Sequence, residues 1–204
     1  MRTLAIETAT AACSVALIEE GAVVAADHAV VGRGHAERLL PMIAGLPGGG
    51  RCDAILVDVG PGSFTGIRMG VAAARALAFA WGVPVHGYAS LALIAAIEGG
   101  RADTLVAIEG GHGELFIGRY GGDPLTEIDA PRSISFDLAV ETLITARIVG
   151  NAAVRLVAAG VAAEVIDAAP DAGATILLPP ALTMLPPVPF YGRGADAVPM
   201  AAAA

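Results

Sequence analysis

The sequence predicts an α/β chain of two related lobes. The first spans residues 1–100; the second and smaller one, 101–204, ends in a proline-rich segment and a tail. Three observations carry this reading. Strand-length runs at Arg2–Glu7, Cys13–Ile18 and Ala22–His28 follow one another through short turns, as in an antiparallel meander. Asp53–Gly82 reads as a strand, a tight turn and a long helix, which is half of an α/β unit. A second hairpin, Thr104–Ile108 with Glu114–Tyr120, opens the other half and is again followed by helix and strand patterns.

The central stretch organises the chain. Ala54–Val59 is apolar except for Asp58, and Gly60-Pro61-Gly62 must turn. Ser63 and Thr65 can each cap the helix that follows, because a hydroxyl accepts from an unpaired N–H of the first turn. Such a helix start suits an anion, but the known phosphate loops do not fit. A Walker loop needs a Lys after its last glycine; Ile67 stands there, and all twelve basic residues are Arg. Gly60, Gly62 and Gly66 give G-x-G-x-x-x-G, one residue too long for a dinucleotide fingerprint. The acid expected about 20 residues on is also missing. Pro61 rules out a nucleophile elbow around Ser63. A structural turn or partner surface therefore outweighs ligand contact here.

In the helix Gly66–Trp81, Gly66, Gly70 and Ala74 form a smooth ridge. Each internal glycine costs ~1 kcal/mol relative to Ala, so a close approach is expected. Two readings stay open: packing on the chain's own sheet, or a docking face flanked by Arg68 and Arg75.

The other elements follow in order. Glu7-Thr8-Ala9-Thr10 sits at a strand end, where an acid and hydroxyls can meet a phosphate or satisfy turn backbone, the commoner case. Gly32-Arg33-Gly34 is a link. His35–Leu46 is a helix with Leu39, Ile43 and Leu46 on one face, and Pro41 should kink it or displace its start. Pro84–Gly87 is a short strand, Ser90 caps a helix through Ile97, and Gly99-Gly100-Arg101 is the lobe boundary. Asp137–Thr145 is a helix, Arg147–Gly150 a strand and Ala152–Ala159 a helix. Prolines dominate after Asp171.

Composition sets the chemistry. Hydrophobic residues make up 55% and charged ones 16%, with mean hydropathy +0.69, which predicts an exposed apolar surface for a partner. A net charge of −8 opposes strong nucleic-acid binding by this chain alone. His35 lacks a second histidine four residues on, since Leu39 is there, and Cys13 and Cys52 are too few for a zinc site or a disulfide framework. The uncharged run Ala76–Ile97 is broken by Gly82, Pro84 and Gly87, so no membrane span is expected. No leader is read at Met1-Arg2, and a cytoplasmic protein is expected.

Several blocks resemble the TsaB (YeaZ) family. They are Leu4–Thr10, Cys13–Leu17, His35–Pro41, Gly60–Arg68, Pro84-Val85 with Ser90-Leu91, and Ile148–Asn151. Gly60–Arg68 is the most specific. The resemblance implies an actin-like (ribonuclease H-like) fold of two lobes. It also implies a non-catalytic role in making N6-threonylcarbamoyladenosine beside the anticodon of tRNA, with a TsaD-type catalytic subunit and a TsaE-type ATPase as partners. ATP and metal are expected in those subunits and no cofactor in this one; tRNA is met only through the complex. Family members pair through the first lobe's two helices, which implies Leu39, Ile43, Gly66, Arg68, Gly70, Ala74 and Arg75 as the interface and a homodimer when the chain is alone. A weaker candidate is a ligand loop of Glu7, Thr8, Gly62 and Ser63, belonging to the alternative of an independent ATP-using kinase or hydrolase. A peptidase reading is weaker still, because metal spacing and a nucleophile elbow are both missing. Three positions depart from the family pattern: Glu7 for Asp, Glu109-Gly110-Gly111 for Asp-Ala-Arg, and Gly192 for Leu before Arg193.

Overall fold

The computed structural model describes residues 1–32, 34–99 and 103–192. Arg33 of the first link, Gly100-Arg101 of the expected boundary, Arg193 and the alanine tail lie outside the described residues.

The first sheet contains β1 (Arg2–Glu7), β2 (Ala12–Glu19), β3 (Ala22–Val30), β4 (Ala54–Asp58) and β5 (Val85–Tyr88), in the order β3-β2-β1-β4-β5. β1, β2 and β3 form the antiparallel meander, while β1, β4 and β5 are parallel. Helices α1 (His35–Gly45) and α2 (Phe64–Trp81) provide the crossovers to β4 and β5. A third helix, α3 (Ser90–Ile97), leads into the second lobe.

That lobe repeats the pattern. It contains β6 (Thr104–Gly111), β7 (Glu114–Gly121), β8 (Thr126–Ser135), α4 (Phe136–Thr142), β9 (Arg147–Val149), α5 (Ala153–Ala158) and β10 (Glu164–Ile166), with sheet order β10-β9-β6-β7-β8. Three antiparallel strands, a helix, a parallel strand, a helix and a second parallel strand occur twice: this is the actin-like, ribonuclease H-like fold.

The sequence reading misses β8 and β10. β8 is almost wholly exposed, so its apolar alternation is absent, and β10 is three residues long. The helix α1 starts at His35 and runs through Pro41, so the proline does not displace its start. The cap of α3 is Ala89 rather than Ser90, whose hydroxyl is engaged elsewhere.

α1 and α2 cover one face of the first sheet around Leu4, Ile6, Leu39, Ile43, Ile55, Val57, Ile67 and Val71. α3 is apolar on all sides because it is buried on all sides. It packs between the lobes against Val106, Phe116, Tyr120 and Leu178. The proline-rich segment does not stay with the second lobe. A 3-10 turn at Ala172–Leu177 lies on the other face of the first sheet, where the Ala172 N–H donates to Ser14 Oγ at 2.9 Å and Ala172 packs with Ala5, Ala16 and Ile18.

Candidate functional site

In an open α/β sheet, ligands meet the carboxyl ends of the parallel strands. Those ends are here Glu7-Thr8 after β1, Asp58–Gly62 after β4, and Tyr88–Ser90 after β5. Glu7, Thr8, Asp58 and Ser90 are fully buried. Asp58 Oδ1 accepts from the Gly60 N–H at 2.5 Å and from the Ser90 hydroxyl at 2.8 Å. The Pro61 carbonyl is 3.0 Å from the same hydroxyl, so Ser90 and Asp58 together hold the Gly60–Gly62 turn. Glu7 Oε1 accepts from the Ala9 N–H at 2.8 Å, and its Oε2 lies 3.1 Å from the Tyr88 hydroxyl. That hydroxyl also reaches the Ile6 carbonyl at 3.0 Å.

Asp58 Oδ2 receives no bond from a standing N–H or O–H donor. A buried acceptor needs a proton from somewhere, and the neighbouring Glu7 carboxyl shares a side-chain hydrogen bond with Asp58. Burial first, and the Asp58 charge second, hold Glu7 well above the usual carboxylate range. Burial raises Asp58 too, while its hydrogen bonds from Glu7, Gly60 and Ser90 pull it back. Of the two, Glu7 is held up further, so the shared proton rests with it. Burial also pushes the Tyr88 phenol well up.

The start of α2 is closed over this pair. Ser63 caps the helix by accepting from the Gly66 N–H at 3.2 Å, and the Ser63 N–H donates to the Ala9 carbonyl at 2.7 Å. Thr65 lies inside the helix and does not cap it. The Thr8 hydroxyl donates to the Gly66 carbonyl at 2.8 Å. A Cβ on Gly66 would overlap the Thr8 carbonyl, one on Gly70 the Thr8 hydroxyl, and one on Gly62 the Ala9 carbonyl. Of the four candidate ligand residues, Glu7 and Thr8 are sealed in, Gly62 sits against Ala9 and exposed Ser63 is used as a cap. The four are brought together, and their polar groups are engaged with one another and with the backbone.

The glycine ridge therefore needs correcting. Gly66, Gly70 and Ala74 are buried against the chain's own first sheet, and Leu39 and Ile43 belong to the same core. The close approach implied by Gly-x-x-x-Gly is to the β1–β2 turn at Thr8. Of the seven expected interface residues only Arg68 and Arg75 are exposed. The outward face of α2 carries Phe64, Arg68, Ala72, Ala76 and Phe79, with Phe79 91% exposed, and Leu40 of α1 is also exposed. Large apolar residues at positions 64 and 79, off the ridge, were the available signal for this stripe.

His35 is a structural residue. It is buried, and its Nε2 lies 2.9 and 3.1 Å from the Thr10 and Ala12 carbonyls, so that nitrogen carries the proton and ties α1 to the turn before β2. The Gly110–Gly113 loop that departs from the family pattern is exposed at its tip, and Glu109 pairs with Arg155 at 3.1 Å. Among the described residues no group of three or more His, Cys, Asp or Glu could hold a metal ion.

Comparison with known proteins gives a consistent picture. A family model described as TsaD, tRNA N6-adenosine threonylcarbamoyltransferase, matches residues 29–138. The tRNA threonylcarbamoyladenosine biosynthesis protein TsaB of Escherichia coli (strain K12) is 37% identical over 131 residues, covering 60% of this chain and 56% of that protein. Its counterpart of the same name in Haemophilus influenzae is 40% identical over 112 residues, covering 51% and 47%. The chain thus spans about half the length of the curated relatives it matches. Among solved structures, YeaZ from Pseudomonas aeruginosa superposes with a TM-score of 0.74 at 28% identity, covering 87% of this chain and 89% of that one.

Proposed function

This chain belongs to the family of TsaD, tRNA N6-adenosine threonylcarbamoyltransferase, on its TsaB (YeaZ) branch, and we propose that it is a non-catalytic subunit in the formation of N6-threonylcarbamoyladenosine on tRNA. The observation that carries the non-catalytic reading is the sealed strand end. Glu7, Thr8 and Asp58 are fully buried and bonded within the chain, and the α2 glycines sit against Thr8 without room for a Cβ. A phosphate or metal brought to this corner would meet packed backbone. The alternative of an independent ATP-using kinase or hydrolase needs those same groups free, and no contact favours it.

The work of such a subunit is docking. The outward stripe of α2, with Phe64, Arg68, Ala72, Arg75, Ala76 and Phe79, is exposed helix surface, with Tyr191 lying against Phe64 and Arg68 at one end. An exposed apolar patch of this kind marks an interaction surface. The partner is a TsaD-type subunit that carries the catalytic metal, and a TsaE-type ATPase joins the assembly. Alone, the chain pairs with a second copy through the same face. The cytoplasm is the compartment in which that assembly meets tRNA; no helix among the described residues is long and apolar enough to cross a membrane.

The test is a tRNA modification assay with the TsaD-type and TsaE-type proteins of the same organism. Omitting this chain should abolish threonylcarbamoyl transfer, and Phe79→Glu should weaken association at least tenfold while leaving the melting temperature within about 2 °C, as surface substitutions usually do. Full modification without this chain would sink the proposal. Binding of tRNA should require the complex, since a chain of net charge −8 repels phosphates. An electrophoretic shift by this chain alone at micromolar concentration and physiological salt would contradict that expectation.

A further inference from the structure

The segment Leu185–Gly192 runs between the lobes, bending at Pro187-Val188, where the Val188 N–H donates to the Pro186 carbonyl at 2.8 Å. Leu185 exchanges two backbone hydrogen bonds with Gly87 of β5, at 2.7 and 3.0 Å. The Phe190 N–H donates to the Val59 carbonyl at the end of β4, at 2.7 Å. The Gly192 carbonyl then accepts from the Ser133 N–H of β8, in the other lobe, at 2.8 Å. Glycines make room along the path. A Cβ on Gly60 would overlap the Phe190 carbonyl, and one on Gly192 would press on the Phe116 ring of β7 at 2.9 Å. Pro186, Pro187 and Pro189 fix φ and remove three donors that would otherwise need partners.

The end of this segment reaches the proposed docking face. Arg68 Nε donates to the Tyr191 hydroxyl at 2.6 Å. The same guanidinium carbon lies 3.7 Å from the centre of the Phe64 ring and 5.3 Å from that of Tyr191, and the two rings are 4.9 Å apart. Arg68 and Phe64 are also members of the exposed α2 stripe.

We propose that Leu185–Gly192 is a latch joining the two lobes, and that its closure is coupled through Arg68 to docking of the partner subunit on α2. The coupling half of this rests on the docking reading above. With the latch closed, Tyr191 and Phe64 hold Arg68 in one orientation before the partner arrives. With it open, Arg68 is a free, rotamer-rich side chain that must be ordered on binding, which weakens docking. Docking therefore favours the closed latch, and by linkage the closed latch favours docking by the same factor.

Amide hydrogen exchange at Gly87 and Ser133 tests the proposal, because these N–H groups, one in each lobe, donate to latch carbonyls. In the free chain both should exchange together and faster than the β1–β4 ladder amides. Adding the TsaD-type subunit should slow both by the same several-fold factor. Tyr191→Ala should speed both in the free chain and weaken docking several-fold, with the β1–β4 amides unchanged as the folding control. Tyr191→Phe, which keeps the ring and loses the hydroxyl, should fall between. Wild-type affinity in Tyr191→Ala, or unchanged exchange at Gly87 and Ser133 on docking, overturns the coupling. Failure of the docking reading is a separate result: it appears as undiminished association of Phe79→Glu.

Discussion

Gly66→Ala should lower the melting temperature by roughly 5–15 °C, from a net loss of about 2–4 kcal/mol in a chain of this size. The sign runs against local propensity, since alanine inside a helix is favoured over glycine by ~1 kcal/mol. The reason is the backbone carbonyl of Thr8, which an alanine Cβ at position 66 would overlap. Relief requires moving either α2 or the turn after β1, and that turn is tied down by Glu7 Oε1 and by His35. Gly70→Leu should be worse, because its side chain must enter the same buried seam. Gly70→Ala separates the two glycines. It meets the Thr8 hydroxyl rather than backbone, so in a Thr8→Ala background it should become neutral or stabilising, a coupling of about 1–3 kcal/mol. Gly66→Ala should gain nothing from Thr8→Ala. Thermal unfolding of the single and double variants checks all of this. Unchanged stability of Gly70→Leu with weakened partner association would restore the ridge to the surface.

The ridge also marks where sequence reasoning stops. Three small residues at helical spacing announce a close approach, but a one-dimensional pattern does not say to what. The decision is made by the β1–β2 turn, 58 residues away in the chain from Gly66, at Thr8. The first-lobe strands and helices were legible because alternation and 3.6-residue periodicity survive where one face is buried and the other wet. β8, exposed along nearly all its length, and the three-residue β10 offered no such contrast. The path of the proline-rich segment was not legible for a related reason. Prolines after Asp171 signal an extended segment, but not that its Ala172 returns to Ser14 of the first sheet. Asp58 was visible as the one charge in an apolar strand, and its pairing with Glu7 needed the parallel register of β1 with β4. The side-by-side setting of the two acids is a property of the sheet alone.

Glu7→Gln should stabilise the chain at neutral and alkaline pH and leave it nearly unchanged below about pH 4.5. Burial and the Asp58 charge raise the Glu7 carboxyl well above its reference value of 4.5. A raised acid binds its proton more tightly in the folded state than in the unfolded one. Its contribution is therefore complete below the unfolded value and is lost as pH rises toward the folded value, by up to about 1.4 kcal/mol per pH unit. Burial raises Asp58 in the same direction. This is the reverse of the usual surface carboxylate, which loses stability on acidification. Glutamine fits the site without a titrating proton. Its carbonyl can accept from the Ala9 N–H as Oε1 does, its amide can donate to Asp58 Oδ2, and the Tyr88 hydroxyl is left to donate to the Ile6 carbonyl. Asp58→Asn tests the other partner. Its amide would donate to Glu7, which could then ionise against the Ala9, Tyr88 and Asn donors, so the same pH window should flatten. Denaturant unfolding of wild type and both variants between pH 4.5 and 9 supplies the measurement, read as differences so that the exposed acids cancel. A Glu7→Gln chain less stable than wild type by a constant amount across that range would mean that Glu7 is folded as a carboxylate and that Asp58 Oδ2 finds its proton elsewhere.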